Sequence, residues 1–169
     1  MAIPVNFPAR LAREGVLADL NTELGTEFEL DSKEPTYYGR PQFLSAWPCL
    51  IAVPSDDTLS NVESWSPLVG DLVMRHRIVY VYEYEKNVDP YPTVEDRCCR
   101  ILDFLAIKNV NKDFPESEGV DLFHMYSPPW SVRMDSEFDS EVRRAYPKYN
   151  LCAGLVEFQT IRRSPLILP

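Results

Sequence analysis

An α+β fold, two helices packed on a mainly antiparallel sheet of about four to five strands, is predicted by three features of the sequence. The stretch "DLVMRHRIVYVYEYE", Asp71 to Glu85, alternates as a strand between two environments must, because successive side chains point to opposite faces. Two other stretches, Pro8 to Leu24 and Thr93 to Leu105, carry apolar residues at helical spacing. Fifteen prolines against six glycines punctuate the chain, so the excursions between elements are expected to be long, extended and proline-rich. At 169 residues the chain suits a single domain, 1–169, since a chain of this size buries roughly 70% of its unfolded surface.

The first helix runs from Pro8, tolerated at an early helical position, through Leu11, Ala12, Leu17, Leu20 and Leu24, with Gly25 as its stop. Gly15 weakens its middle by about 1 kcal/mol relative to alanine. Pro35, Pro41 and Pro48 make residues 26–46 an extended excursion, in which Phe28 to Leu30 reads as a short strand or edge. "WPCLIAV", Trp47 to Val53, is a strand, with Pro48 tolerable only at its start or on a sheet edge. The polar stretch 54–70 reads as a second surface excursion.

In the long strand, Leu72, Met74, His76, Ile78, Tyr80, Tyr82 and Tyr84 share one face. Val79 and Val81 centre the other, between Arg75, Arg77, Glu83 and Glu85, which suits a strand buried in the middle and exposed at its ends. Asp89, Pro90 and Pro92 then turn the chain, and Thr93 with Asp96 resembles a capping box that starts the second helix. Val94, Cys98, Ile101, Leu102 and Leu105 form its apolar stripe. A strand is expected over Val120 to Tyr126 and a third excursion over 127–150, with one helical turn near Val142. The last strand is Leu151 to Arg163, and 164–169 form an extended C-terminal tail.

Several chemistries are disfavoured by residue type and spacing. Neither GxGxxG nor GxxxxGK[ST] occurs, so no nucleotide cofactor is expected. Four cysteines without a CxxC pair, and only His76 and His124, leave no metal-ligand set and no disulfide framework. His76 is expected as a core histidine, and Cys98, on the apolar stripe, as a packed thiol rather than a nucleophile. Asp56, Asp57 and the acids from Asp135 to Glu141 lack the spacing of a calcium loop and read as solvated. The net charge of −9 lacks the basic cluster that grips phosphates, and Arg143–Arg144 and Arg162–Arg163 are isolated pairs. No apolar run reaches the ~18–20 residues of a membrane span, and the N-terminus lacks the centre of a secretory signal, so a soluble, intracellular chain with no membrane partner is expected. No catalytic, cofactor or metal residue is therefore assigned.

The aromatic residues of the excursions carry the functional reading. Tyr37, Tyr38, Phe43 and Trp47 flank the first, while Trp130, Phe138, Tyr146 and Tyr149 populate the third. Tyr and Trp are enriched at the centres of protein interfaces. Tyr37, Tyr38, Phe43, Trp130, Phe138 and Tyr146, with Leu166 and Ile167 of the tail, are therefore expected at subunit interfaces. The bland alternative is that both excursions fold back over their own sheet.

The order of elements resembles that of bacteriophage tail-terminator proteins, small neck components that close the top of a tail tube. It is carried by the helix "PARLAREGVLADLNTEL", the strand "RIVYVYEYE", the helix "TVEDRCCRILDFL" and the late strand "LVEFQTIRR". The resemblance implies a virion protein without cofactor or enzymatic activity, assembled in the host cytoplasm. It implies a homo-oligomeric ring, typically of six copies, between the tail tube and a head-side neck or connector protein, with a sheath as a further contact. DNA would pass through the lumen without sequence-specific binding, and nine net negative charges per copy would keep phosphates from sticking. Two other readings stand beside it. One is another neck role, head closure or tail completion; the other is a small α+β enzyme or ligand-binding module with a site near Tyr84 and Glu85, using His76 or His124 with two carboxylates.

Overall fold

The computed structural model describes residues 8–30, 36–38, 44, 46–53, 61–66, 69–111, 123–134 and 137–165. The elements are α1 (Pro8–Leu24), β1 (Thr36–Tyr38), β2 (Cys49–Val53), β3 (Asn61–Ser66), β4 (Val69–Glu83), α2 (Tyr91–Asn111), β5 (Phe123–Arg133), α3 (Glu137–Ala145) and β6 (Leu151–Pro165). One sheet holds all six strands in the order β1-β2-β4-β6-β5, with β3 pairing β4 beyond the end of β2. Only the β1–β2 pair is parallel. The fold is α+β, as the sequence predicts, with one more helix and one more strand than expected.

From Ile78 to Tyr84 the alternation of the long strand is as read. Ile78 and Tyr80 are buried on one face, with Tyr82 and Tyr84 packed against the same cluster, and Val79 and Val81 are buried on the other. On the first face, Val16, Leu17, Leu20 and Leu24 of α1 and Val94, Cys98, Ile101 and Leu105 of α2 meet Leu50, Ile78, Tyr80 and Val156. Both helices lie there because each offers one apolar stripe and the sheet offers a matching apolar surface. Gly154 of β6 makes the approach of α2 close: a Cβ there would stand 2.5 Å from Cys98 Sγ and 2.7 Å from Val94 Cγ1.

Phe28 to Leu30 is neither strand nor edge. Past Leu24 the chain keeps turning, with Phe28 N–H donating to the Leu24 carbonyl at 2.8 Å and Glu29 at φ 57°. The turn inserts Phe28, 1% exposed, edge-on against Tyr80 at 5.5 Å between ring centroids. Arg97 stacks over the Phe28 ring at 5.1 Å and, with Arg100, pairs with Glu27 at 3.5 and 3.3 Å. Burying the ring outweighs the residue's local preference for extended backbone.

Other boundaries move for equally local reasons. The second helix begins at Tyr91, two residues before the expected capping box, because Asp89 Oδ1 accepts the Tyr91 N–H at 3.1 Å. Asn87, at φ 74° in a turn closed by Val88 N–H on the Glu85 carbonyl, reverses the chain before it. Residues 54–70 are not wholly an excursion: β3 pairs antiparallel with the start of β4. Nor are residues 127–150, since β5 continues through Pro128 and Pro129 to Arg133, with its pairing interrupted between Ser127 and Ser131. The same stretch holds α3, nine residues rather than one turn. Within 26–46, Thr36–Tyr38 form β1, and Ser164 and Pro165 of the expected tail belong to β6.

Candidate assembly surface

The second face of the sheet shows why part of the aromatic excursion is internal. Phe138 and Val142, four residues apart on α3, pack with Ile51, Val79, Val81, Ala153 and Leu155. Phe138 is 6% exposed, with Arg77 stacked over its ring at 5.6 Å. Tyr146, just after the helix, accepts the Leu44 N–H on its hydroxyl and packs edge-on to Trp47 at 5.2 Å. Phe138, buried, and Tyr146, half-buried, thus pack on their own chain, as the bland alternative expects of these two residues. Tyr149 packs on Trp47 at 4.9 Å and keeps 48% of its surface exposed.

The remaining interface candidates divide differently. Tyr37 and Tyr38 lie on β1 and Trp130 lies on β5, the strands at the two ends of the sheet order. Phe43, Leu166 and Ile167 lie outside the described residues. Val88, Tyr91 and Tyr149, three of the four exposed large hydrophobics among the described residues, sit in or beside the two turns at one end of the sheet. Those turns are linked by Tyr84 N–H donating to the Asn150 carbonyl at 2.9 Å.

Asp139 is the site residue that sequence reasoning misplaced. Expected as part of a solvated acidic run, it is 5% exposed. Its Oδ1 accepts the Ala153 N–H at 2.8 Å and its Oδ2 accepts Arg143 Nε at 2.9 Å. Pairing between β5 and β6 ends at Arg133 and Leu155, so the carboxylate satisfies a β6 amide past the point where a strand would. Burial lowers the Arg143 pKa, and the adjacent Asp139 charge and hydrogen bond outweigh it, leaving the guanidinium above its usual range. Two signals marked α3: acids at its start with Arg143 and Arg144 at its end, and Phe138 with Val142 at helical spacing.

The groups considered for chemistry are spread out. His76 is 1% exposed, tilted against Phe158 at 5.1 Å, the core position expected of it. His124, on β5, pairs with Arg162, four residues along β6 from the Phe158 that pairs His76, a separation on the order of 13 Å. Tyr84 and Glu85 belong to the turn after β4. Cys49, Cys98 and Cys152 are buried and Cys99 is exposed, all as free thiols. Burial pushes Cys49 and Cys98 up to about 12 and Cys152 to about 11, so these thiols stay protonated and unreactive at neutral pH. Among the described residues no three His, Cys, Asp or Glu gather as a metal site, and no helix is long and apolar enough to cross a membrane. Asp56 and Asp57 lie outside the described residues. The sequence matches no protein-family model and no curated protein.

Proposed function

We propose that this chain is a structural virion protein that assembles into a ring, capping the tail tube of a tailed phage and joining it to the head-side neck. The reading rests on the resemblance in element order. The observation that carries its assembly half is the position of Tyr37, Tyr38 and Trp130 on β1 and β5, the two lateral borders of one sheet, where a neighbouring copy would stand. A ring of such copies would surround DNA with an acidic body, nine net negative charges each, which favours sliding over sticking. A tail-tube protein, a head-side connector and a sheath would be its neighbours in the particle.

Electron microscopy of the purified chain, alone and mixed with tail tubes, tests this reading. Rings with an open centre, seated on one end of each tube, are the expected result. Rings that bind the head-side connector and ignore tubes would move the chain to a head-closure role. Single copies that stay single beside tubes would overturn the proposal.

A further inference from the structure

We propose that copies of this chain overlap like shingles, the acidic outer ridge of α2 on one copy lying under the basic turn between α3 and β6 of the next. The inference rests on the ring reading above and names the surfaces that would close the ring. Tyr91, Glu95, Cys99, Asp103 and Ile107 follow at intervals of four along α2 and are all exposed. Residues four apart line up as a ridge on a helix, so α2 turns outward two carboxylates and a thiol between two apolar ends. Across the sheet, Arg144, Lys148 and Tyr149 are exposed at the end of α3 and in the turn that follows. Together with Val88, in the turn before α2, Tyr91, Ile107 and Tyr149 are the exposed large hydrophobics of the described residues, and each falls on or beside one of the two surfaces.

The layers on the two faces differ in charge. On the first face, Glu23 and Glu29 at the end of α1 and Asp96 beside the ridge add exposed acids to Glu95 and Asp103. Arg97 and Arg100, half-buried, share Glu27, which leaves one positive charge against those acids. The turn before α2 adds Glu85, Lys86 and Asp89. On the second face, buried Asp139 balances Arg143, so Arg144 and Lys148 set the sign where the chain leaves α3, while Glu137 and Glu141 lie in its first half. Two copies at −9 each repel on most approaches, and a contact that brings opposite signs together fixes which surfaces meet.

Position matches charge. On the first face α2 packs over β4, β6 and β5, towards the β5 border of the sheet. On the second face Tyr149 packs on Trp47, just ahead of β2, so the basic turn leans towards the β1 border. The two surfaces thus stand at diagonally opposite corners. A neighbour set beside the β5 border and lapped over the first face brings its own second face, at its β1 side, onto the α2 ridge. The start of α2 and the basic turn also share one end of the sheet, where Tyr84 N–H meets the Asn150 carbonyl, so the overlap needs no shift along the strands. Because the joining surfaces differ, the contact is heterologous; it repeats from copy to copy and makes a ring where the rotation closes.

Mixing two charge-reversed variants tests the inference. Arg144→Glu with Lys148→Glu makes both surfaces acidic, and Glu95→Lys with Asp103→Lys makes both basic; all four positions are exposed, and an unchanged denaturation midpoint checks that each variant folds. By light scattering, each variant alone is expected to associate roughly tenfold or more weakly than the unmodified chain. Their equimolar mixture is expected to recover the mass of the unmodified assembly, because each variant offers the sign that the other lacks. A variant that assembles alone as well as the unmodified chain, or a mixture as weak as its parts, would overturn the contact and leave the ring reading standing. An unmodified chain that stays single at every concentration would remove both. As a second measurement on the unmodified chain, raising salt from about 0.1 M to about 1 M shortens the screening length from ~10 Å to ~3 Å and should weaken association. Association that is indifferent to salt would contradict the proposed contact.

Discussion

The two faces of the sheet are closed by different means. On the first, α1 and α2 lay apolar stripes on Leu50, Ile78, Tyr80 and Val156, and Phe28 plugs the end of the cluster. On the second, nine-residue α3 brings Phe138 and Val142 and secures itself with the buried carboxylate of Asp139 on a strand amide. A long helix holds its place mainly through buried area. A short one has too little apolar surface for that, and a directed hydrogen bond fixes its position.

That contrast can be broken most forcefully with Phe28→Ala, which removes a ring that is 1% exposed and should cost about 3–5 kcal/mol in denaturant unfolding. Phe138→Ala, on the thinner face at 6% exposed, should cost less than Phe28→Ala. Equal losses would erase the distinction between the faces.

Gly154→Val sharpens the account of the first face. Its side chain would press on Cys98 and Val94, and overpacking of this kind costs about 1–3 kcal/mol. Adding Cys98→Ala should recover part of the loss, measured as a double-mutant cycle. Full additivity would mean that α2 does not rest on Gly154.

For the second face, Asp139→Ala leaves the Ala153 amide without its acceptor and Arg143 without its partner, and should cost about 1–3 kcal/mol. Asp139→Asn keeps an acceptor and should cost less. The two variants losing equally would shift the weight from the hydrogen bond to the charge.

A further effect, common to both faces, is expected in alkali. The buried thiols of Cys49, Cys98 and Cys152 hold their protons above the ordinary value of 9.0, so their contribution is fully present below pH 9. As pH rises from 9 towards 11 the unfolded chain loses protons that the folded chain keeps, and stability falls by up to about 1.4 kcal/mol per thiol for each pH unit. A Cys49→Ala, Cys98→Ala, Cys152→Ala variant should lose less of its stability across that interval.

The same contrast explains how much was legible in the sequence. Periodicity is strong where one element faces a large apolar surface, so α1, the stripe of α2 and both faces of β4 could be read directly. β3, "NVESWS", has no apolar alternation of its own; pairing with β4 makes it a strand. The helix α3 was too short, and too charged, for its two apolar residues to stand out. Phe28 and Asp139 were missed for one reason: their roles come from partners distant in sequence, Tyr80 and Arg97 for the ring, Ala153 for the carboxylate. Of the candidate interface, the aromatic excess was legible, while its division between internal packing and sheet borders required the fold.

Whether this chain works as one copy among several, as proposed, can be measured directly. The test is the molar mass in solution by light scattering across a concentration series, against 19.5 kDa for a single copy. A mass that settles at one closed multiple, with six copies the expected number, is the predicted result. A mass that stays at that of the single chain at every concentration would contradict the account.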